Sequence, residues 1–375
     1  MLIQLIACLI AIIAFFVYQA QVSDRRLMPG SAKDSYIYFI CLILILQSGL
    51  RNVAVGPDTY EYYLQFERIQ STSWQQVFDY FITTYETGVG KDPGYGIFMK
   101  LVSTLISNYQ IYLMLIATIF FCSFSLMLKR FCSDIYDVFV AMLVYQALFY
   151  GFFSITGIRQ TLAISILFYA FPLVYKRKLL IFLFICLIAS TIHKSSLLFI
   201  PFYFIAKIKS PVKLLTYVLI ALPIVFVMMR PIALYMTSFS FTESYAVYSE
   251  SVEDAKGAQM FFIFMLAISI LILLCRKSIA DQPEIFKMGL NAFALGLFFT
   301  PLTWVDPNLM RVVMYFSVYS IFITGDLIRI YSYRKKLFLF SISVLLTVAV
   351  VFSIIKRNYD YAFFWQNMEL PDNYY

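Results

Sequence analysis

The chain has 375 residues, of which 62% are hydrophobic, 19% aromatic and only 13% charged, with a formal net charge of +8. That balance excludes a soluble globular enzyme and points to a polytopic membrane protein whose spans are its core. The basic residues are spread through short loops rather than gathered on one soluble face, so membrane topology explains the charge and no nucleic-acid partner is expected.

A span needs about 20 apolar residues. Twelve segments qualify: 2–20, 35–50, 109–128, 134–151, 156–175, 178–193, 195–208, 211–230, 258–275, 285–304, 309–328 and 336–355. The first lacks a basic leader and a convincing cleavage site, so it reads as a retained span rather than a signal peptide. Between the second and third lies a loop, 51–95, with helical pieces around 58–70 and 73–84. The stretch 96–106 is too short to cross and reads as an interfacial or re-entrant helix. The seventh segment, 195–208, is broken by Pro201 and reads as a half-helix. A second long loop, 231–257, is acidic and rich in tyrosine, and the aromatic tail 356–375 suits an interface or a folded cap. The expected fold is all-α, a single integral membrane domain over 1–375 with about 12 transmembrane helices. The six cysteines show no Cys-x-x-Cys spacing, so neither a disulfide framework nor a zinc site is expected.

Alternate loops hold 18 of the 29 Lys and Arg, among them Arg25, Lys33, Lys129, Arg177, Lys209, Lys277 and Arg329, but only 7 of the 21 acids. One face therefore carries +11 and the other −3. The positive-inside rule assigns the first to the cytoplasm and both termini to the outside.

A few basic residues defy that trend. Arg51, Arg159, His193, Lys194, Arg230 and Arg311 fall at outer ends of segments, and Arg159 and Arg311 are embedded in apolar sequence. Charges in such places cost a few kcal/mol or more, and they mark working sites or find partners. A buried guanidinium matches phosphate bidentately, and a position near a helix N-terminus adds attraction for an anion. The plainer roles are snorkelling to headgroups for the arginines, an Arg51–Asp58 loop clamp, and a structural hydrogen bond for the chain's single histidine. Asp58 or Thr59 also suits a helix cap after the Gly56-Pro57 turn, while Asp58, Glu61 and Gln65 share one helix face that could meet sugar hydroxyls or supply a base. No paired metal-ligand pattern, phosphate-loop glycines or Gly-x-Ser-x-Gly elbow occurs, so neither a metal nor a cofactor is expected.

Four motifs then fall in order. Arg51…Val55-Gly56-Pro57-Asp58-Thr59-x-x-Tyr62 resembles the Arg…Gly-x-Asp-x-x-x-Tyr opening of the EpsG/Wzy group of bacterial polysaccharide polymerases. Arg159-Gln160-x-Leu162-Ala163 resembles that group's Arg-Gln-x-Leu-Ala helix, and Ile192-His193-x-Ser195-Ser196 with Pro201 its Ile-His-x-Ser…Pro element. Arg311-Val312-x-x-Tyr315-Phe316 resembles its late Arg…Tyr-Phe helix. The resemblance covers roughly 51–330 and departs at Pro57, which stiffens the turn.

It implies a metal-independent membrane glycosyltransferase of GT-C-like architecture in the bacterial cytoplasmic membrane, its site facing outward. The substrate would be an undecaprenyl-pyrophosphate-linked oligosaccharide, with membrane lipids and a chain-length regulator as further partners. Arg159, Arg311, Arg51, Gln160, Lys194 and Tyr315 would bind pyrophosphate, and His193 and Asp58 would be catalytic. His193 would either bind phosphate or take the acceptor's proton. The alternatives are a flippase for the same lipid-linked glycan, an O-antigen ligase, whose large outer loop usually comes late rather than early, and a membrane acyltransferase built on His193.

Overall fold

A computed structural model describes residues 2–56, 58–238, 256–304, 309–333, 336–357 and 360–370. Among the described residues its regular elements are all helices. In chain order the helices are α1 (Leu2–Ser23), α2 (Pro29–Gly49), α3 (Thr59–Ser71), α4 (Trp74–Thr87), α5 (Pro93–Leu105), α6 (Tyr109–Phe131), α7 (Ile135–Val144), α8 (Ile158–Tyr175), α9 (Leu179–Ile192), α10 (Phe202–Ile205), α11 (Pro211–Ser238), α12 (Lys256–Leu274), α13 (Arg276–Ile279), α14 (Glu284–Phe299), α15 (Met310–Ser317), α16 (Tyr319–Tyr331) and α17 (Lys336–Arg357).

The twelve apolar segments all become helix, but they do not all have the length of a span. Among the described residues seven helices are long and apolar enough to cross a membrane, and an eighth crossing forms if α15 and α16, bent by 45°, are taken together. The other four are short apolar helices at Ile135–Phe149, Leu179–Ile192, Lys194–Ile205 and Gln259–Leu274. Helix α9 shows why. Its 14 residues reach about 21 Å at 1.5 Å per residue, short of a hydrocarbon core of about 30 Å. The chain breaks at His193, which is extended (φ −153°, ψ 106°), and returns through a 3₁₀ turn over Lys194–Phe199. Phe182, at the start of α9, then meets Tyr203 in α10 at 5.2 Å between ring centroids, so 178–193 and 195–208 are two legs packed on each other.

Two other expectations shift. Helix α11 runs on to Ser238, so the second loop begins later than 231, and its remainder, 239–255, lies outside the described residues. Helix α7 gives way to two π-helical turns, Tyr145–Phe149 and Gly151–Thr156, immediately before α8. Such widened turns reorient side chains and recur at functional sites.

The core is a column of packed aromatic rings. Phe171 and Tyr319 lie 4.8 Å apart, Phe199 and Phe202 4.9 Å, and Phe124 and Phe322 5.1 Å, joining α6, α8, α10 and α16. In lipid such packing, not exclusion from water, holds helices together, and small residues let backbones close. At Gly325 a Cβ would overlap the backbone of Asp137, and at Gly296 it would press on Ser317 at the α15–α16 bend.

The two ends of the bundle differ in charge. At one end Lys33 donates to Cys132 O at 3.1 Å, Lys129 pairs with Asp34 at 3.3 Å, and Arg329 forks onto buried Asp137 at 3.1 and 3.3 Å. The basic loops gather there, as the sequence pattern requires. The opposite end carries residues 50–56, α3, α4, α5 and the described part of the tail. Arg51 forms an isolated antiparallel bridge with Phe363, and Asn52 N and Phe364 N donate to Ala362 O and Leu50 O, so the tail folds back as a strap.

Candidate active site

Five segments converge at that second end: the start of α3, the turn between α4 and α5, the N-termini of α8 and α15, and the end of α9. All but the α4–α5 turn line a partly open hollow with a cavity volume of about 30 Å³. Arg159 and Gln160 line it from the first turn of α8 and Arg311 from the first turn of α15. His193 lines it from the cap of α9, and Asp58 and Tyr62 from α3 and the residue before it. Phe152, Thr156 and Gly157, delivered by the second π-helical turn, complete the wall. The two guanidinium groups therefore share one hollow, and each is the second residue of its helix, where free backbone N–H groups and the helix dipole favour an anion. Gln160 Nε2 donates to Arg311 O at 2.6 Å, tying the two helix starts together.

At the edge stands a carboxylate to which the sequence reading assigned no role. Asp92 Oδ2 accepts from Arg159 Nη1 at 2.9 Å and meets His193 Nδ1 at 3.3 Å, while Oδ1 accepts from the Lys194 backbone N–H at 3.0 Å. The Asp92 side chain is 8% exposed, that of His193 11% and that of Arg159 24%. Arg159 Nε also donates to the Tyr62 hydroxyl at 3.4 Å. Burial alone would raise the Asp92 pKa, but the hydrogen bond and charge of His193, the Arg159 charge and the Lys194 N–H together hold it below the ordinary carboxylate value. Burial pushes His193 the other way, below its usual range. Asp92 opposes this in part, and Arg159 and Arg311 add to it, so the imidazole is neutral near pH 7. An ionised carboxylate only accepts, so Nδ1 carries the ring proton and Nε2 keeps its lone pair. Nε2 is buried and has no hydrogen-bond partner among the described residues.

Local sequence explains how Asp92 gets there. Gly88 ends α4 in the left-handed region (φ 72°), and Gly90 (φ 125°) turns the chain again. Tyr80 OH then brackets Lys91, accepting from its N–H at 3.1 Å. Asp92 itself is left-handed (φ 47°, ψ 54°) ahead of Pro93, a strained conformation for a non-glycine residue. A Cβ at Gly94 would overlap Thr191, so only glycine lets the start of α5 sit against the end of α9 and bring Asp92 to His193.

The pattern of the EpsG family matches residues 35–368, nearly the whole chain. The chain belongs to the EpsG family. That is a Wzy-like family of polysaccharide polymerases, so a polymerase-type role in general follows from membership. No curated protein and no solved structure matches the chain.

Within this EpsG-family site, five of the residues singled out from sequence line one hollow: Arg159, Arg311, Gln160, His193 and Asp58. Three do not. Lys194 is exposed and contributes its backbone N–H to Asp92. Tyr315 is buried behind His193, with ring centroids 6.5 Å apart. Arg51 corrects the phosphate expectation most clearly: it is buried and donates to Ser48 O at 2.5 Å and Ile155 O at 3.4 Å. Its guanidinium ties the end of α2 to the second π-helical turn, while its backbone bridges the tail. Among the described residues it makes no ion pair with Asp58, so the expected clamp is absent. Asp58 does not cap α3 through its side chain, and Thr59 Oγ1 instead donates to Val55 O at 2.6 Å. Pro57 lies outside the described residues. Glu61 and Gln65 bond to each other at 3.1 Å and do not line the hollow. Asp92 had one sequence signal, an acid before Pro-Gly in the loop facing a buried arginine.

Proposed function

We propose that this EpsG-family protein is a repeat-unit polymerase that transfers a growing glycan from undecaprenyl pyrophosphate to the next lipid-linked unit. The observation that carries the reading is the shared hollow of Arg159, Arg311 and the unpartnered Nε2 of His193. Arg159 and Arg311 would grip the pyrophosphate with the N-termini of α8 and α15 behind them, stabilising the charge that builds as the glycosidic bond breaks. The acceptor hydroxyl forms the new C–O bond. Its proton passes to His193 Nε2, and the electron pair of the broken bond leaves on the pyrophosphate oxygen. Gripped pyrophosphate is a good leaving group, so the step is written without a metal or cofactor. Asp58, facing the same hollow, would contact acceptor sugar. The positive-inside rule, applied to the basic end, assigns this site to the outer face of the bacterial cytoplasmic membrane. The GT-C-like architecture and a chain-length regulator belong to the same proposal.

The test is the purified protein in vesicles given an undecaprenyl-pyrophosphate-linked repeat unit. A ladder of longer glycans with release of undecaprenyl pyrophosphate is expected, and Arg311→Ala should abolish it. Transfer of the lipid-linked unit across the bilayer with no elongation would replace the polymerase reading with a flippase.

A further inference from the structure

The contacts of Asp92 go beyond those of an ion-pair partner for Arg159. A simple counter-ion needs one contact, whereas this carboxylate serves three donors at once, from α8, from the cap of α9 and from the backbone after it. Its arrangement leaves the outward nitrogen of the imidazole as a buried atom without a protein partner among the described residues. The backbone holds Asp92 in the left-handed region, which aspartate tolerates better than most residues but which the following Pro93 disfavours, and the close approach of Gly94 to Thr191 keeps it there. Strain kept at a cleft whose polar groups converge is a mark of a working position rather than of filler.

We propose that Asp92 is a positioning residue. It fixes His193 in the Nδ1–H tautomer, with Nε2 turned to the acceptor hydroxyl, and holds Arg159 beside the leaving pyrophosphate. This role rests on the glycosyl-transfer reading above. During transfer the hydroxyl proton goes to Nε2, its oxygen lone pair forms the bond to the anomeric carbon, and the pyrophosphate departs with the old bonding pair. The imidazolium so formed faces the Asp92 carboxylate, which needs no proton of its own. The imidazolium then returns its proton to water. The other groups around His193 are cationic or weakly acidic: Arg159 from α8 and Arg311 and Tyr315 from α15, with Lys91 close to Asp92 and Arg159, and Lys194 next along the chain. Asp58 and Tyr62 share the hollow from the α3 side. Among the described residues Asp92 is the one carboxylate bonded to the ring.

The experiment uses the full chain in vesicles with lipid-linked repeat units, comparing wild type with Asp92→Asn and Asp92→Glu from about pH 5 to 9. Asp92→Asn is expected to lower kcat by about 100-fold or more with KM little changed, and Asp92→Glu to recover part of the loss. Losing the carboxylate also removes what raises the His193 pKa, so the acid limb of the rate profile moves to lower pH. A purely structural role would lower the rate and leave that limb in place, which would overturn the proposal. Because the chain holds a single histidine, nitrogen-15 NMR of labelled His193 reads the tautomer without any turnover. Nδ1–H in the neutral wild type and its loss in Asp92→Asn are expected. An Nε2–H tautomer in wild type would overturn the positioning role whatever the activity. Wild-type protein that fails to elongate would instead sink the polymerase reading and this inference with it.

Discussion

Arg159→Ala separates the two jobs assigned to this guanidinium. In the resting site it donates to Asp92 at 2.9 Å, and it lines the hollow from the start of α8. Breaking a fully buried ion pair costs about 3–5 kcal/mol. Here Arg159 is 24% exposed and Asp92 keeps the His193 and Lys194 donors, so the stability loss should be nearer 2 kcal/mol, roughly one charged hydrogen bond. That leaves most of the protein folded. The catalytic loss is larger. Removing one donor from a developing anion costs about 3 kcal/mol, or roughly 100-fold in rate. Arg159→Lys keeps the charge but not the fork that reaches both Asp92 and phosphate, so it should recover only part. The pH profile supplies an independent sign. The Arg159 charge lowers the His193 pKa, so the acid limb should move to higher pH in Arg159→Ala, opposite to the shift expected for Asp92→Asn. The assay is elongation in vesicles, normalised to monodisperse protein by size-exclusion chromatography. Wild-type elongation per folded molecule, or a limb that moves the other way, would refute the reasoning.

Arg51→Ala should reduce the folded yield and the melting temperature, by about 2–3 kcal/mol for the two buried carbonyls it leaves, with KM for lipid-linked substrate unchanged in the surviving fraction. Gly94→Val should force α5 off Thr191 and so lower kcat far more than it lowers thermal stability, both measured on the same preparation. At the basic end Asp137→Asn strips the Arg329 fork and the cap on Ser133 and Asp134. A loss of about 2–3 kcal/mol, discounted because Arg329 is 40% exposed, should appear as a lower melting temperature with an unaltered pH profile. Acid should weaken the fold in two steps, read by detergent-solubilised melting curves. His193 binds its proton less readily when folded, so stability falls as pH drops below about 6.5 toward its lowered folded value; Asp92, also depressed, adds a second loss below about 3.8.

Much of this was legible from the chain. A run of apolar residues has no alternative in lipid to satisfying its backbone as helix, which is why every apolar segment became one. The basic loops sort to one end because charge placement follows loop identity, and loops are local in sequence. The misplaced charges Arg159, His193 and Arg311 pointed to the site because a cation in apolar surroundings must find a partner. Span count was not legible at the same level: composition cannot distinguish a helix that crosses from the paired legs of α9 and α10, which differ in where the chain turns rather than in hydropathy. Nor could Arg51 be told apart from Arg159, since both are arginines near apolar segments. Only the fold decides that one meets backbone carbonyls and the other an open hollow. Asp92 shows the limit most plainly. It is 67 positions from Arg159 and 101 from His193, and the acid before Pro-Gly marks a turn without saying which cations it meets. Its partners are set by the glycine-permitted approach of α5 to α9, a distance in space that local sequence does not carry.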